Sequence, residues 1–160
     1  MRKRVGGFWE PLPEGSRMQV NRAVFRYVEA INNRGVSLQD LKAFDEALAL
    51  SKWNMSNVDL GHYVAAGNVG GSPLQFLEKF HDRISSFHIK DRKSKDNGGA
   101  NMPWGQGDTP IKEVLQLMKK QKYAWPATIE LEYHVPQGSD AVKEVKKCVD
   151  YCRAALTART

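Results

Sequence analysis

The stretch ISSFHIKD, residues 84–91, decides the fold, because it joins a short apolar strand to polar side chains at the end of that strand. Residues 84–89 are predicted to form the strand. The helix before it is indicated by SPLQ, residues 72–75, which places Ser at the N-cap, Pro at the first helical position and Gln at the third. Thr109-Pro110 opens the helix that follows. A strand between two helices is one unit of an alternating β/α chain.

The same alternation continues in both directions from this strand. Residues 55–59 and 127–131 are the two neighbouring strand candidates. A helix is predicted before the first of them, from Ser37 to near Ser51, and a last helix opens at Ser139. The apolar stripe predicted for this last helix consists of Val142, Val145, Val149, Cys152 and Leu156. Three successive strand–helix repeats predict an α/β fold with a parallel sheet covered by helices.

Residues 1–36 are set apart from the region 37–157 by their charge and their lack of regular pattern. Residues 1–35 hold seven basic and three acidic side chains, whereas the rest of the chain holds 17 and 15, so most of the net charge of +6 belongs to the first segment. One helix is predicted there, from Ser16 to Gly35. Solvated flanking charge is favoured over a nucleic-acid surface, so nucleic acid is not an expected partner.

The composition is that of a soluble globular protein, with 41% apolar and 26% charged residues among 160. No apolar run approaches the roughly 20 residues that a membrane-spanning helix needs, and no signal-peptide core follows the basic N-terminus. We therefore expect a cytoplasmic location and no membrane partner. Cys148 and Cys152 lie four residues apart on one predicted helix face, where small buried side chains are favoured over a disulfide.

Polar side chains follow all three predicted strands. Asp59 ends the first, His88 lies near the end of the second, and Glu130 lies near the end of the third. In parallel α/β folds, functional sites form at this carboxyl edge of the sheet. Taken alone, Asp59 or Glu130 is better explained as a loop cap or as a partner for Lys. Together, two carboxylates and an imidazole predict a site for a divalent metal, with Mn²⁺, Mg²⁺, Co²⁺ and Zn²⁺ as candidates.

Four motifs carry a family resemblance. They are DLGH at 59–62, HIKD at 88–91, WGQGD at 104–108 and IELEY at 129–133. In this order they resemble the last three β/α units of a xylose isomerase-like TIM barrel, the group that includes sugar phosphate isomerases and epimerases. The resemblance implies a partial (β/α)-barrel, preceded by an atypical N-terminal segment. Barrels of this family have eight strands and bind a divalent metal through Glu, Asp, His and Glu from the last four.

The resemblance also implies roles for individual residues. Asp59, His88 and Glu130 match the last three metal ligands, and Glu130 is in addition the candidate acid/base. Glu132 lies on the same strand face as Glu130, so the choice between the two glutamates stays open. His62 matches a histidine that approaches the metal or the sugar hydroxyls, although a loop histidine bonded to backbone is an equal alternative.

Three further features of the strand-end loops are candidates for binding. Lys90 comes two residues after His88, so its side chain is predicted on the same strand face. Its positive charge is therefore expected at the mouth of the site, beside a hydroxyl, carboxylate or phosphate. Asp91 and Arg92 follow directly. Gly105 and Gly107 precede the helix that opens at Thr109-Pro110, where a plain turn is favoured over an anion site.

The expected function is a divalent-metal-dependent isomerase or epimerase of a small sugar or sugar phosphate, with proton transfer through an enediolate. The resemblance implies a truncated barrel in which only one of the family's two opposed glutamates is visible, so binding without efficient turnover is expected of the isolated chain. Bare sheet edges predict a homo-oligomer. The alternative is an inactive barrel fragment that folds and self-associates. Dehydratase or endonuclease chemistry ranks lower, since endonucleases of similar fold need more histidines than the four in this chain.

Overall fold

In the computed structural model the chain forms two compact units, Met1–Asn54 and Met55–Thr160. The described residues are 2–5, 8–11, 45–46, 48–68 and 71–158.

The first unit contains a β-hairpin. Strand β1, Arg2–Val5, pairs antiparallel with β2, Phe8–Pro11. Residues 45, 46, 48 and 49 are helical, in agreement with the helix predicted to end near Ser51. The helix predicted between Ser16 and Gly35 lies outside the described residues.

The second unit is built on a parallel sheet of three strands: β3, Ser56–Asp59; β4, Ile84–Ile89; and β7, Ala127–Ile129. Strand β4 lies between the other two. Both pairings are parallel, which confirms the predicted α/β sheet. The third strand ends two residues earlier than predicted, although the Glu130 amide continues its ladder by donating to the Ile89 carbonyl at 2.9 Å.

Four helices accompany this sheet: α1, Leu60–Ala65; α2, Pro73–Phe80; α3, Ile111–Gln121; and α4, Ala141–Thr157. The predicted capping box starts α2: the Ser72 hydroxyl accepts from the Gln75 amide, and the Gln75 side chain accepts from the Ser72 amide. The core formed by sheet and helices contains side chains less than 2% exposed, among them Leu60, Val64, Phe76, Leu77, Phe87, Ile89, Ile111 and Val114. None of the helices described is long and apolar enough to cross a membrane.

The predicted apolar stripe of α4 was wrong at its start, because Val142 is 78% and Val145 39% exposed, whereas Val149, Cys152 and Leu156 are half-buried. The buried face of the helix runs through Glu144, Cys148 and Ala155. The helix can bury the Glu144 carboxylate because three groups donate hydrogen bonds to it: Tyr133 Oη at 2.8 Å, Ser139 Oγ at 2.5 Å and Lys147 Nζ at 2.6 Å. These bonds, first that of Lys147, lower the pKa of Glu144 to about 2. Both cysteines are free thiols, and Cys148 is buried as predicted.

The loop between β4 and α3 is organised around the carboxylate of Asp91, which is 2% exposed. A short antiparallel pair forms from β5, Asp91–Arg92, and β6, Asn101–Met102. Asp91 accepts hydrogen bonds from the amides of Gly105 and Gly107 at 2.8 Å each and of Thr109 at 3.2 Å. These glycine amides bind the protein's own carboxylate, which agrees with the predicted turn rather than an anion site. A Cβ at Gly107 would overlap the Asp91 carboxylate.

Candidate metal centre

The pairing of the strands brings the predicted ligands to one edge of the sheet. Asp59 and His88 are direct partners in the register of β3 and β4. Glu130 follows the last pair of β4 and β7, Ile89 with Ile129. Because parallel strands place their carboxyl ends on the same side, the three side chains lie next to one another.

Asp59, His88 and Glu130 each present a ligand atom within 4.8 Å of the other two. His88 Nδ1 lies 3.1 Å from Glu130 Oε2. The three side chains are 24%, 37% and 28% exposed, so an ion from solvent can reach them. Two carboxylate oxygens and one imidazole nitrogen suit Mn²⁺, Mg²⁺, Co²⁺ or Zn²⁺. The residues present therefore fit a divalent cation.

Lys90 supplies a positive charge at the same point. Its side chain is only 3% exposed, and its Nζ lies 3.0 Å from Asp59 Oδ2, 3.0 Å from Glu130 Oε2 and 2.6 Å from Glu132 Oε2. Burial acts to lower the pKa of Lys90, but its hydrogen bonds to the three carboxylates raise the pKa above the ordinary lysine value. The three carboxylates thus converge on the ammonium group of Lys90.

Glu132 is placed differently from Glu130. Its hydrogen bond from Lys90 lowers the pKa of Glu132, and its carboxylate also lies 3.9 Å from His62 Nε2. Glu132 is not a member of the group formed by Asp59, His88 and Glu130, whose ligand atoms lie within 4.8 Å of one another. Lys90 contacts both glutamates, but Glu130 is the one that also contacts His88, and Glu132 is the one that lies near His62.

His62 lies on a helix and not on the loop that the sequence predicted. Helix α1 begins directly after β3, and Asp59 is its N-cap, with Oδ1 accepting from the His62 amide at 2.9 Å. Asp59 Oδ2 is 3.8 Å from His62 Nε2. Asp59 therefore caps the helix with one oxygen while its other oxygen lies 3.0 Å from Lys90 Nζ.

Two residues that position the centre were missed or underrated in the sequence. Gly61 leaves room for the Lys90 stem, because a Cβ at this position would overlap the Lys90 side chain. Arg92 reaches back over the sheet edge, with Nη1 at 2.6 Å from His62 Nδ1. Glycine two residues after a strand-end Asp was a visible signal, whereas a contact between positions 62 and 92 depends on tertiary packing alone.

A separate cavity of about 150 Å³ lies between the loop after β6 and helix α4. None of the strand-end ligands lines it; its walls are formed by Pro103, Trp104, Gln106, Tyr133, Pro136, Glu144, Lys147, Cys148 and Tyr151. Glu144 accepts from Tyr133, Ser139 and Lys147, whereas the buried Nε1 of Trp104 has no hydrogen-bond partner among the described residues. The candidate metal ligands gather at the strand ends and not at this cavity.

The sequence profile of the xylose isomerase-like TIM barrel matches residues 20–154. The chain therefore belongs to this family of (β/α)-barrels. The match begins inside the segment that charge and pattern set apart, so family likeness reaches further toward the N-terminus than the four motifs do. No curated protein matches the chain at a significant level.

Solved structures of the same fold are similar over most of this chain. A sugar phosphate isomerase/epimerase from Parabacteroides distasonis is 25% identical with a TM-score of 0.50, over 68% of this chain and 35% of that one. Xylose isomerase domain proteins from Planctomyces limnophilus and Alicyclobacillus acidocaldarius are each 22% identical, with TM-scores of 0.56 and 0.52, over 71% and 76% of this chain. The chain spans 42% and 44% of these two, so it corresponds to less than half of each neighbour.

Replacing Lys90 with methionine is expected to destabilise the metal-free protein. Loss of the ammonium leaves Asp59, Glu130 and Glu132 facing one another. Because these partners are 24–38% exposed, we expect a loss of about 1–2 kcal/mol rather than the about 3–5 kcal/mol of a fully buried pair. Added Mn²⁺ should reduce the difference in stability between Lys90→Met and the wild-type protein, because a cation that binds only the folded state stabilises it.

Urea unfolding with and without Mn²⁺ measures this effect. The matched control is Lys112→Met, which removes an exposed lysine of α3. Equal stabilities for the two metal-free variants would contradict the assigned contacts of Lys90.

Proposed function

We propose that this chain carries the metal-binding half-site of a divalent-metal-dependent isomerase or epimerase acting on a small sugar or sugar phosphate. The observation that carries the proposal is the convergence of Asp59, His88 and Glu130 within 4.8 Å at the ends of three adjacent parallel strands. Family membership supports it, because a sugar phosphate isomerase/epimerase is among the solved structures that this chain resembles. A cytoplasmic location and homo-oligomerisation stay predictions from the sequence.

Asp59, His88 and Glu130 would hold the metal. When bound, such an ion would polarise a carbonyl oxygen of the substrate and orient a neighbouring hydroxyl. Glu130 is the group proposed to take a proton from the carbon beside that carbonyl, since its Oε2 lies 3.1 Å from His88 Nδ1 and 3.0 Å from Lys90 Nζ. Glu132 remains the alternative base, held as a carboxylate by Lys90.

Lys90 and His62 complete the proposed site. Lys90 donates to Asp59, Glu130 and Glu132, which fixes the three carboxylates relative to one another. His62 turns Nε2 toward the same point, at 3.8 Å from Asp59 Oδ2. Its proposed role is to contact an oxygen of the sugar.

Solvent deuterium exchange into ketoses and ketose phosphates tests the proposal. Exchange at one carbon needs one base, whereas net epimerisation needs groups on both faces of the carbon, so exchange is the measurement suited to this chain. We expect slow exchange that appears with Mn²⁺ and disappears with a chelator. Glu130→Gln should reduce it by about 100-fold or more, the usual contribution of a positioned base.

Glu113→Gln, which changes an exposed carboxylate of α3, is the matched control and should exchange at the wild-type rate. Exchange that needs no metal, or that survives Glu130→Gln unchanged, would rule the proposal out. So would the absence of exchange with every ketose when Mn²⁺ is bound.

A further inference from the structure

The guanidinium of Arg92 is fixed by the loop on which it lies. Nε and Nη2 both donate to the Gly99 carbonyl, at 3.0 and 2.6 Å. The Arg92 amide donates to Thr109 Oγ1 at 3.1 Å, which ties the backbone to the start of the next helix. Two bonds to one carbonyl leave little rotational freedom, so the direction of Nη1 is set by the fold.

Nη1 of Arg92 is directed at the ring of His62, 2.6 Å from Nδ1. Arginine is protonated in proteins and its nitrogens only donate hydrogen bonds. His62 Nδ1 must therefore be the acceptor, with its lone pair facing Arg92. In the neutral imidazole, the ring hydrogen is then on Nε2.

We infer that Arg92 is a positioning residue that fixes His62 in the Nε2–H tautomer, so that His62 acts as a hydrogen-bond donor at the metal centre and not as a base. Nε2 lies 3.8 Å from Asp59 Oδ2 and 3.9 Å from Glu132 Oε2, too far for a hydrogen bond to either. The two carboxylates attract the N–H without binding it. The side chain is 57% exposed, so the donor is open to a ligand oxygen.

The consequence for chemistry rests on the proposed function. With Nε2–H directed into the site, His62 can stabilise negative charge that develops on a sugar oxygen. Proton abstraction from carbon then falls to Glu130 or Glu132, because His62 offers no free lone pair on that side. The assignment of the tautomer itself does not depend on any activity.

Nitrogen NMR of the metal-free protein labelled with ¹⁵N-histidine tests the tautomer directly, at about pH 8, above the usual titration range of imidazole. The chain has four histidines, so a His62→Gln spectrum identifies the His62 signals by their loss. We expect wild-type His62 to show hydrogen on Nε2 alone. Arg92→Glu, which places an acceptor opposite Nδ1, should move the hydrogen to Nδ1, whereas Arg92→Lys, a pure donor, should retain the wild-type pattern.

Hydrogen on Nδ1 of wild-type His62 would overturn the inference, as would an unchanged His62 pattern in folded Arg92→Glu. Should Arg92→Glu not fold, scalar coupling across the hydrogen bond from Arg92 Nη1 to His62 Nδ1 in wild type decides, and its absence overturns the inference.

Exchange kinetics separate this inference from the proposed function. Arg92→Met should lower the maximal rate of metal-dependent exchange about 10-fold or more, within the usual loss for one misplaced donor, and leave Mn²⁺ affinity within about 2-fold of wild type. A wild-type chain that exchanges while His62 carries hydrogen on Nδ1 would overturn the inference alone. A wild-type chain with the Nε2–H tautomer and no exchange would overturn the proposed function alone.

Discussion

His88→Ala is expected to weaken Mn²⁺ binding by about 100-fold or more, equivalent to about 2.8 kcal/mol, because loss of an outer-shell partner alone costs up to about 100-fold. His88 is the one nitrogen donor in the group of three ligands, with Nδ1 at 3.1 Å from Glu130 Oε2. Its removal leaves two carboxylates that Lys90 already binds. Isothermal titration calorimetry of the folded variant measures the loss.

His134→Ala is the matched control for this experiment. His134 is exposed and lies a few residues after the end of β7, but it does not belong to the candidate ligand group. It should bind Mn²⁺ as wild type does. Equal affinities for His88→Ala and His134→Ala would remove His88 from the metal site.

Asp91→Ala is expected to lower the free energy of unfolding by about 2–4 kcal/mol, because a buried donor left without its acceptor costs about 1–3 kcal/mol. The carboxylate is 2% exposed and accepts from the amides of Gly105, Gly107 and Thr109. Partial hydration of the three amides keeps the loss below the sum of three full penalties. Asp91 is adjacent to Lys90, so loosening of this loop should also displace the Lys90 ammonium from the three carboxylates that it contacts.

Urea unfolding followed by circular dichroism measures this loss. Asp96→Ala is the control, since Asp96 is an exposed carboxylate in the same loop. Asp91→Asn should fall between Asp91→Ala and wild type, because the amide keeps one acceptor oxygen. An unfolding midpoint for Asp91→Ala equal to that of Asp96→Ala would show that the loop does not depend on this carboxylate.

The parallel sheet and the identity of the strand-end residues could be predicted from the sequence. Strand 84–89 lies between the predicted helix starts at Ser72 and Thr109-Pro110, and such local signals do not require knowledge of the packing. Parallel pairing then forces Asp59 and His88 into register, since both end adjacent strands. The ligand group followed from topology rather than from any one motif.

Features that depend on tertiary packing were not accessible in the same way. The apolar residues of α4 suggested a face through Val142, yet the helix buries Glu144, because Tyr133, Ser139 and Lys147 complete its hydrogen bonds. A pattern of apolar residues in the sequence cannot reveal that a carboxylate is buried among three hydrogen-bond donors.

The short helix α1 was not predicted either. Asp59 appeared as the end of a strand, and its second function as an N-cap placed His62 on a helix instead of a loop. The contact between Arg92 and His62 spans 30 residues and joins strand β5 to helix α1, whose approach no local pattern encodes.

The central claim is that one divalent ion binds between Asp59, His88 and Glu130. Electron spin echo spectroscopy of substoichiometric Mn²⁺ tests it most directly, because the modulation from a coordinated imidazole nitrogen is seen only when the ring binds the ion. We predict imidazole modulation in wild type, in His62→Gln and in His134→Ala, and none in His88→Ala. Imidazole modulation that persists in His88→Ala, or its absence from wild type with Mn²⁺ bound, would contradict the claim.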